Sequence, residues 1–202
     1  AAYEKIWAHQ LGEDSKKQRR KLVPRLQAEA DAAFAAREWH SFLAAAHRLV
    51  ALDAASSRLW MSMGFVSLQM EEPKKARCFL EMALEKAQEE RPEILQLLAE
   101  VQKLAGDHAA ALASAEEAQA RTEKTRETRP FRYRLALAKA HAAYMLARAD
   151  ESSRAYREAA DLADDLHART EAYSSHLLAL HNTAIGQEEL FAAHRGYEKI
   201  LA

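Results

Sequence analysis

The sequence predicts an all-α fold built from repeated pairs of helices, and three observations support this prediction. Gly and Pro number only five and four in 202 residues, while hydrophobic residues make up 49% with Ala dominant. This composition favours helices over strands. Residues 59–87, LWMSMGFVSLQMEEPKKARCFLEMALEKA, carry apolar residues at helical spacing on both sides of a Glu-Glu-Pro turn. Much of the remaining chain repeats this arrangement, which is typical of stacked helix pairs.

The central pair supplies the pattern with which the other pairs are compared. Small residues at Gly64, Ala76 and Ala83 allow two helices to approach closely, and Trp60 and Leu80 fill the remaining space. This pattern resembles the tetratricopeptide repeat, a helix-turn-helix unit of about 34 residues. The resemblance implies a right-handed α-solenoid of about four repeats, with extra N- and C-terminal helices, that acts as a protein-binding scaffold.

The repeat pattern divides the chain into an N-terminal part, a series of repeats and a C-terminal helix. Full repeats are predicted at residues 23–56, 57–91, 92–129 and 133–166. Residues 1–22 are predicted to hold an N-terminal helix and a basic segment, and residues 167–181 a half repeat without its second helix. Residues 187–202 are predicted to form a C-terminal helix that leads into a downstream domain.

Close contacts between small residues are expected within three of the repeats. The predicted partners are Gly64 with Ala76, Ala99 with Ala111, and Ala140 with Ser152. Each pair occupies equivalent positions on the two helices of its repeat, where a larger side chain would keep the helices apart.

The end of the chain suggests a second function. The chain starts without Met and stops within a helical pattern, so we expect it to be part of a longer protein. Residues 177–201 are similar to the junction in bacterial O-GlcNAc-transferase-like proteins, where tetratricopeptide repeats lead into a glycosyltransferase domain. This resemblance implies a non-catalytic N-terminal region that positions an acceptor protein or mediates oligomerisation.

The sequence carries no motif that indicates catalysis. It has no Gly-rich phosphate loop, no Cys pair with zinc spacing, no HExxH and no Gly-x-Ser-x-Gly. No two of its nine histidines are four residues apart, the spacing that places two imidazoles on one helical face. We therefore expect no enzyme activity and no catalytic, cofactor-binding or metal-binding residues. The single cysteine, Cys78, is expected to be a small buried residue in a reducing compartment.

Charge and hydropathy exclude two classes of partner. The formal net charge is −1, and the basic cluster around residues 16–21 lacks the interleaved aromatic residues of a nucleic-acid site, so we expect no nucleic-acid partner. No apolar run approaches the roughly 20 residues of a membrane span, and the first residues lack the charged-then-apolar layout of a signal peptide. The prediction is a soluble, cytoplasmic protein.

The resemblance also indicates which residues face a partner. In tetratricopeptide proteins the first helix of each repeat lines the concave surface, so its residues outside the packing stripe are candidates. In the second and fourth repeats the predicted groove residues are Arg58, Met61, Phe65, Gln69, Arg134, His141, Tyr144 and Met145. Their mixture of apolar and charged groups suits an amphipathic protein or peptide segment. Burial of Phe65 and Tyr144 against the neighbouring repeat is the alternative.

Two further expectations concern partners. Carboxylate-clamp members of the family use Lys, Arg and Asn along the groove, so that binding mode is not expected here. The corresponding positions of this chain hold Gln27, Asp31, Ser62, Glu93 and Leu97. Homo-oligomers are expected through apolar faces of the terminal helices. These faces carry Trp7, Leu190, Tyr197 and Leu201.

Overall fold

The computed structural model describes the backbone of residues 15–201 and the side chains of residues 19–200. The helix predicted within residues 1–22 at Tyr3–Leu11, including Trp7, lies outside the described residues. Across residues 15–201 the secondary structure consists of ten α-helices and no strand, which confirms the predicted all-α fold. None of the helices in this range is long and apolar enough to cross a membrane.

The helices follow one another with short connections. In chain order they are α1 (Ser15–Ala35), α2 (Trp39–Ala51), α3 (Ser57–Gln69), α4 (Pro73–Lys86), α5 (Arg91–Leu104), α6 (His108–Arg121), α7 (Arg129–Met145), α8 (Ala149–Leu162), α9 (Leu166–Leu180) and α10 (Gln187–Leu201). Helices α1–α4 belong to one compact unit and α5–α10 to a second. Within each unit consecutive helices pack as pairs, beginning with α1 against α2.

The turns inside the first four helix pairs share one geometry. The second residue after each first helix has positive φ, at Arg37 (58°), Glu71 (58°), Gly106 (76°) and Ala147 (57°). The N–H of the next residue donates to the carbonyl oxygen five residues earlier, as Glu72 does to Ser67 at 2.8 Å. This is the Schellman arrangement, which satisfies carbonyl groups at the end of a helix. It reverses the chain, so that the second helix of each pair runs back along the first.

The predicted contacts between small residues are present within the pairs. A Cβ atom added to Gly64 would lie 3.4 Å from the Ala76 carbonyl oxygen and 2.6 Å from Leu80 Cγ. The Ser152 hydroxyl donates a hydrogen bond to the Ala140 carbonyl oxygen at 2.9 Å. These distances leave no room for larger side chains, as the sequence indicated.

Changing Ala111 to leucine tests the third small-residue contact. Ala111 and Ala99 are both buried, so the added methyl and methylene groups should destabilise the α5–α10 unit by about 1–3 kcal/mol through overpacking. The matched control is Ala113→Leu on the exposed face of the same helix. Denaturant unfolding should separate the two variants, and equal stability would contradict the close α5–α6 contact.

The first helix differs from the sequence prediction. The prediction placed the start of the first repeat at residue 23, because proline normally limits a helix. Helix α1 instead begins at Ser15 and includes Pro24 in its interior. Pro24 is exposed, and a long helix tolerates the single backbone hydrogen bond that a proline removes. The C-terminal part of the basic segment belongs to this helix, where Arg19 donates to the Asp53 carbonyl oxygen at 3.0 Å.

The last helix pair also differs from the prediction. The sequence interpretation left residues 167–181 as a half repeat without a second helix. Helix α10 packs against α9 and occupies the place of that second helix. The Tyr173 hydroxyl donates to the Ala193 carbonyl oxygen at 3.0 Å, and the Tyr173 and Tyr197 rings stack with centroids 6.0 Å apart. Gly196 leaves space for the Tyr173 hydroxyl, since a Cβ there would overlap it.

The cysteine prediction is wrong. Cys78 lies on α4 and is exposed to solvent. Buried positions on α4 recur at Ala76, Leu80 and Ala83, and Cys78 falls between two of them on the opposite side of the helix.

Candidate functional site

The first helices of two successive pairs in the second unit border one groove. Helix α7 packs on α6 through Leu112, Ala142 and Ala143. Helix α5 is joined to α6 by a buried hydrogen bond from the Ser114 hydroxyl to Gln102 Oε1 at 2.8 Å. The cavity between α5 and α7 has a volume of about 360 Å³, and its lining residues are Gln96, Glu100, Lys103, Arg134, Leu137, Ala138, His141 and Tyr156.

The lining combines an apolar surface with an excess of positive charge. Lys103 Nζ pairs with Glu100 Oε1 at 2.7 Å, so these two charges offset each other. The Arg134 guanidinium lies over the Phe131 ring, 5.7 Å from its centroid, and no carboxylate of the described residues comes within ion-pair distance of it. Burial raises the pKa of the Tyr156 hydroxyl, which keeps it a neutral hydrogen-bond donor. The groove can therefore accept one negative group beside an apolar one.

His141 is the least satisfied polar group of this groove. Its Nδ1 atom is buried without a hydrogen-bond partner in the described part of the chain, and its ring lies 6.0 Å from the ring of His108, edge to face. Burial lowers the pKa of His141, and the positive charge of Lys103 and the neighbouring His108 lower it further. A neutral imidazole is the consequence near pH 7.

Two partly buried histidines of the second unit, His141 and His176, give its stability a pH dependence. The pKa of His141 is lowered, and burial likewise lowers the pKa of His176, although a hydrogen bond with Ser153 opposes that shift. Because the unfolded chain binds these protons more readily, the free energy of unfolding should fall as the pH drops through the ordinary histidine range near 6.5. Denaturant unfolding at about pH 7.5 and 5.5 measures this. The double variant His141→Gln/His176→Gln should have a flatter profile, and an unchanged slope would contradict the assignment.

The first unit contains a comparable groove. A cavity of about 360 Å³ lies between α1 and α3 and is lined by Gln27, Asp31, Phe34, Phe42, Ser56, Arg58, Leu59 and Ser62. Arg58 is exposed at this cavity, and Ser62 is partly buried. Three of the residues that argued against a carboxylate clamp, Gln27, Asp31 and Ser62, line it. No cluster of basic groups is present in this lining.

The predicted groove residues divide into three groups. Arg58, Arg134 and His141 line the two cavities. Phe65 of α3 is partly buried, with its ring centroid 6.0 Å from that of Phe34 on α1 and 6.4 Å from that of Trp39 on α2. It therefore packs against the neighbouring helix pair, which is the alternative that the sequence analysis gave for this residue. The remaining candidates lie outside both linings, with Met61 partly buried, Gln69 exposed, Tyr144 40% exposed and Met145 51% exposed.

Sequence reasoning missed the contribution of α5. Gln96, Glu100 and Lys103 recur at i, i+4 and i+7, so they form a polar stripe on one face. The sequence interpretation had weighed Glu93 and Leu97 on this helix instead, and neither of them lines the cavity. The i, i+4, i+7 spacing of polar residues was the available signal.

Comparisons with solved structures identify the fold. The crystal structure of MamA superposes with a TM-score of 0.74 at 13% identity, covering 89% of this chain and 92% of that one. YrrB, described as a TPR protein with an unusual peptide-binding site, has a TM-score of 0.65 at 18% identity over 85% of this chain and 82% of its own. The fold is that of the tetratricopeptide repeat. Cut9, in the Cut9–Hcn1 hetero-tetramer, matches 93% of this chain with a TM-score of 0.60 at 16% identity over 40% of its own length.

Sequence comparisons add no relative to these tetratricopeptide structures. No protein-family model matches the chain, and no curated protein matches it either. The structural matches do not support the predicted connection of residues 177–201 with a glycosyltransferase. At these identities the comparisons establish the tetratricopeptide fold alone.

Proposed function

We propose that this chain is a protein-interaction scaffold that holds a peptide or helical segment of a partner protein against the first helices of its repeats. The observation that carries the proposal is the groove between α5 and α7. There Arg134, which has no carboxylate partner among the described residues, lies beside Leu137 and the Tyr156 ring. A helical repeat protein commonly presents such a surface to an extended or helical ligand.

The lining chemistry specifies the segment that fits. An Asp or Glu side chain of the partner can pair with the Arg134 guanidinium, and an adjacent large apolar side chain can cover Leu137 and Tyr156. The Gln96 amide, which also lines the cavity, can then bond to the partner's backbone. The proposed ligand is therefore an amphipathic segment with one or a few acidic residues. We propose no enzymatic role for the described residues.

A random-peptide display library, selected on the whole chain, tests this proposal. The enriched peptides should carry an acidic residue near a large apolar one. Measured by fluorescence anisotropy, Arg134→Glu should lower the affinity of the chain for these peptides by about tenfold or more. It should also reverse the salt dependence of binding. The matched control is Arg154→Glu, the same charge change at an exposed position on α8, the second helix of the same pair.

Two outcomes would contradict the groove assignment. Equal weakening by Arg134→Glu and Arg154→Glu would mean that the overall charge, and not the groove, controls binding. If Arg134→Glu kept normal affinity for the peptides and Arg154→Glu lost it, the binding surface would lie on the second helices. Tyr144→Ala, near the end of α7, measures whether the contact extends beyond the cavity.

A further inference from the structure

Two histidines that are distant in sequence meet at the end of the last helix pair. His181 follows the C-terminus of α9, and His194 lies on α10. Their Nε2 atoms are 3.3 Å apart, and their ring centroids are 5.5 Å apart with planes at 64°. Both side chains are exposed, so an ion from solvent can reach both nitrogens.

The position of this pair is fixed by packing elsewhere. The hydrogen bond from the Tyr173 hydroxyl to the Ala193 carbonyl oxygen holds the residue next to His194 against α9. The stacked rings of Tyr173 and Tyr197 hold the following turn of α10. The imidazoles are thus brought together by contacts that do not involve them, which reduces the entropy that a ligand would lose in gathering them.

The separation of the two nitrogens fits one coordination geometry. A tetrahedral zinc ion with Zn–N bonds of about 2.0–2.1 Å holds two nitrogens about 3.3 Å apart. Two cis ligands of a square-planar ion with similar bonds would be only about 2.9 Å apart. The observed 3.3 Å is within hydrogen-bond range when one of the two Nε2 atoms carries a proton, and it also matches the tetrahedral separation. Neutral imidazole nitrogen is a common ligand of such an ion.

We propose that His181 and His194 form a two-imidazole site for a tetrahedral divalent metal ion of the Zn²⁺ class, which fastens α10 to the end of α9. Each ring binds through Nε2 and carries its proton on Nδ1, and water completes the coordination. Among the described residues no group of three or more His, Cys, Asp or Glu side chains is placed to hold a metal ion. The site is therefore weaker than a four-ligand structural zinc site.

The metal alone is the probe for this proposal. Isothermal titration of the whole untagged chain with ZnCl₂ should show one saturable site per chain. His181→Asn and His194→Gln should each lower the affinity for Zn²⁺ at least tenfold. The double variant should lose no more affinity than either single variant, since one imidazole cannot bridge the helices. Zn²⁺ should also raise the melting temperature of the wild type, and EDTA should reverse the rise. Neither effect should occur in the two variants.

Two further histidines provide the controls. The His167 side chain is 85% exposed, and its Nε2 lies 3.9 Å from Glu171 Oε2, so this surface pair could compete for Zn²⁺. His40 is exposed on α2. His167→Gln and His40→Gln should bind Zn²⁺ as the wild type does. Co²⁺ in place of Zn²⁺ should give the intense visible absorption of a tetrahedral site.

The proposal would be overturned by any of three results. These are the absence of a saturable site in the wild type, unchanged binding in both His181→Asn and His194→Gln, or loss of binding in His167→Gln. Circular dichroism of each variant verifies that the helices are intact, so a folding defect is distinguished from loss of a ligand.

Discussion

Replacing Tyr173 with alanine is expected to lower the free energy of unfolding of the α5–α10 unit by about 3–5 kcal/mol. Tyr173 is 2% exposed and is the largest fully buried side chain in the described residues. It stacks on Tyr197, contacts the Arg157 guanidinium with its ring face at 4.8 Å, and donates to the Ala193 carbonyl oxygen. The substitution leaves a cavity between α9 and α10 and removes the hydrogen bond to the Ala193 carbonyl oxygen. Denaturant unfolding monitored by circular dichroism measures the loss.

Two variants separate the parts of this effect. Tyr173→Phe removes only the hydrogen bond to Ala193 and should cost about 1 kcal/mol. Tyr144→Ala is the matched control, because Tyr144 is 40% exposed and its removal should cost less than about 1 kcal/mol. If Tyr173→Ala were no more destabilising than Tyr144→Ala, the docking of α10 on α9 would be incorrect.

Replacing Leu80 with alanine is expected to destabilise the α1–α4 unit by about 2–5 kcal/mol. Leu80 is completely buried and fills the space opposite Gly64. A Cβ atom at Gly64 would lie 2.6 Å from Leu80 Cγ and 2.7 Å from Leu80 Cδ2. The two positions therefore share one volume, which is filled by the larger side chain of α4.

A size exchange tests this shared volume. Gly64→Ala alone should destabilise the unit. The free-energy cost of the overlap with Leu80 should exceed the roughly 1 kcal/mol that alanine gains over glycine in helix propensity. In the double variant Gly64→Ala/Leu80→Ala the new methyl group enters the vacated space, so the double variant should be more stable than the sum of the two single changes allows. Gly186→Ala is the control, since nothing lies within 4 Å of its Cβ position. Strict additivity would mean that the two residues do not touch.

The helix pairs were predictable because their defining signals are local. A first helix, a short turn and a second helix lie within about 34 residues, and small residues such as Gly64 and Ala76 are needed wherever the backbones approach. The Ala140 and Ser152 positions follow the same rule, and the hydrogen bond between them was the structural result. Turn residues such as Gly106 also indicate the reversal directly, since glycine readily adopts positive φ.

The candidate site was only partly predictable because a groove depends on which faces of successive first helices adjoin. The resemblance placed Arg134 and His141 on the groove, and both line this cavity, whereas Gln96, Glu100 and Lys103 of α5 were not singled out. Phe65 was ambiguous from sequence, since a large apolar side chain suits a core as well as a binding surface. The pair His181 and His194 left no sequence signal, because thirteen residues separate them and only the packing of α10 on α9 brings them together.

The repeated turn geometry has a consequence for how the chain folds. Each of the turns at Arg37, Glu71, Gly106 and Ala147 closes through bonds between residues three to five apart, so no distant segment is required to form it. Contacts between residues close in sequence are made quickly, because little chain entropy is lost in closing a short loop. Folding can therefore start at any of these pairs and spread to its neighbours, and during synthesis a pair can form before the next one leaves the ribosome.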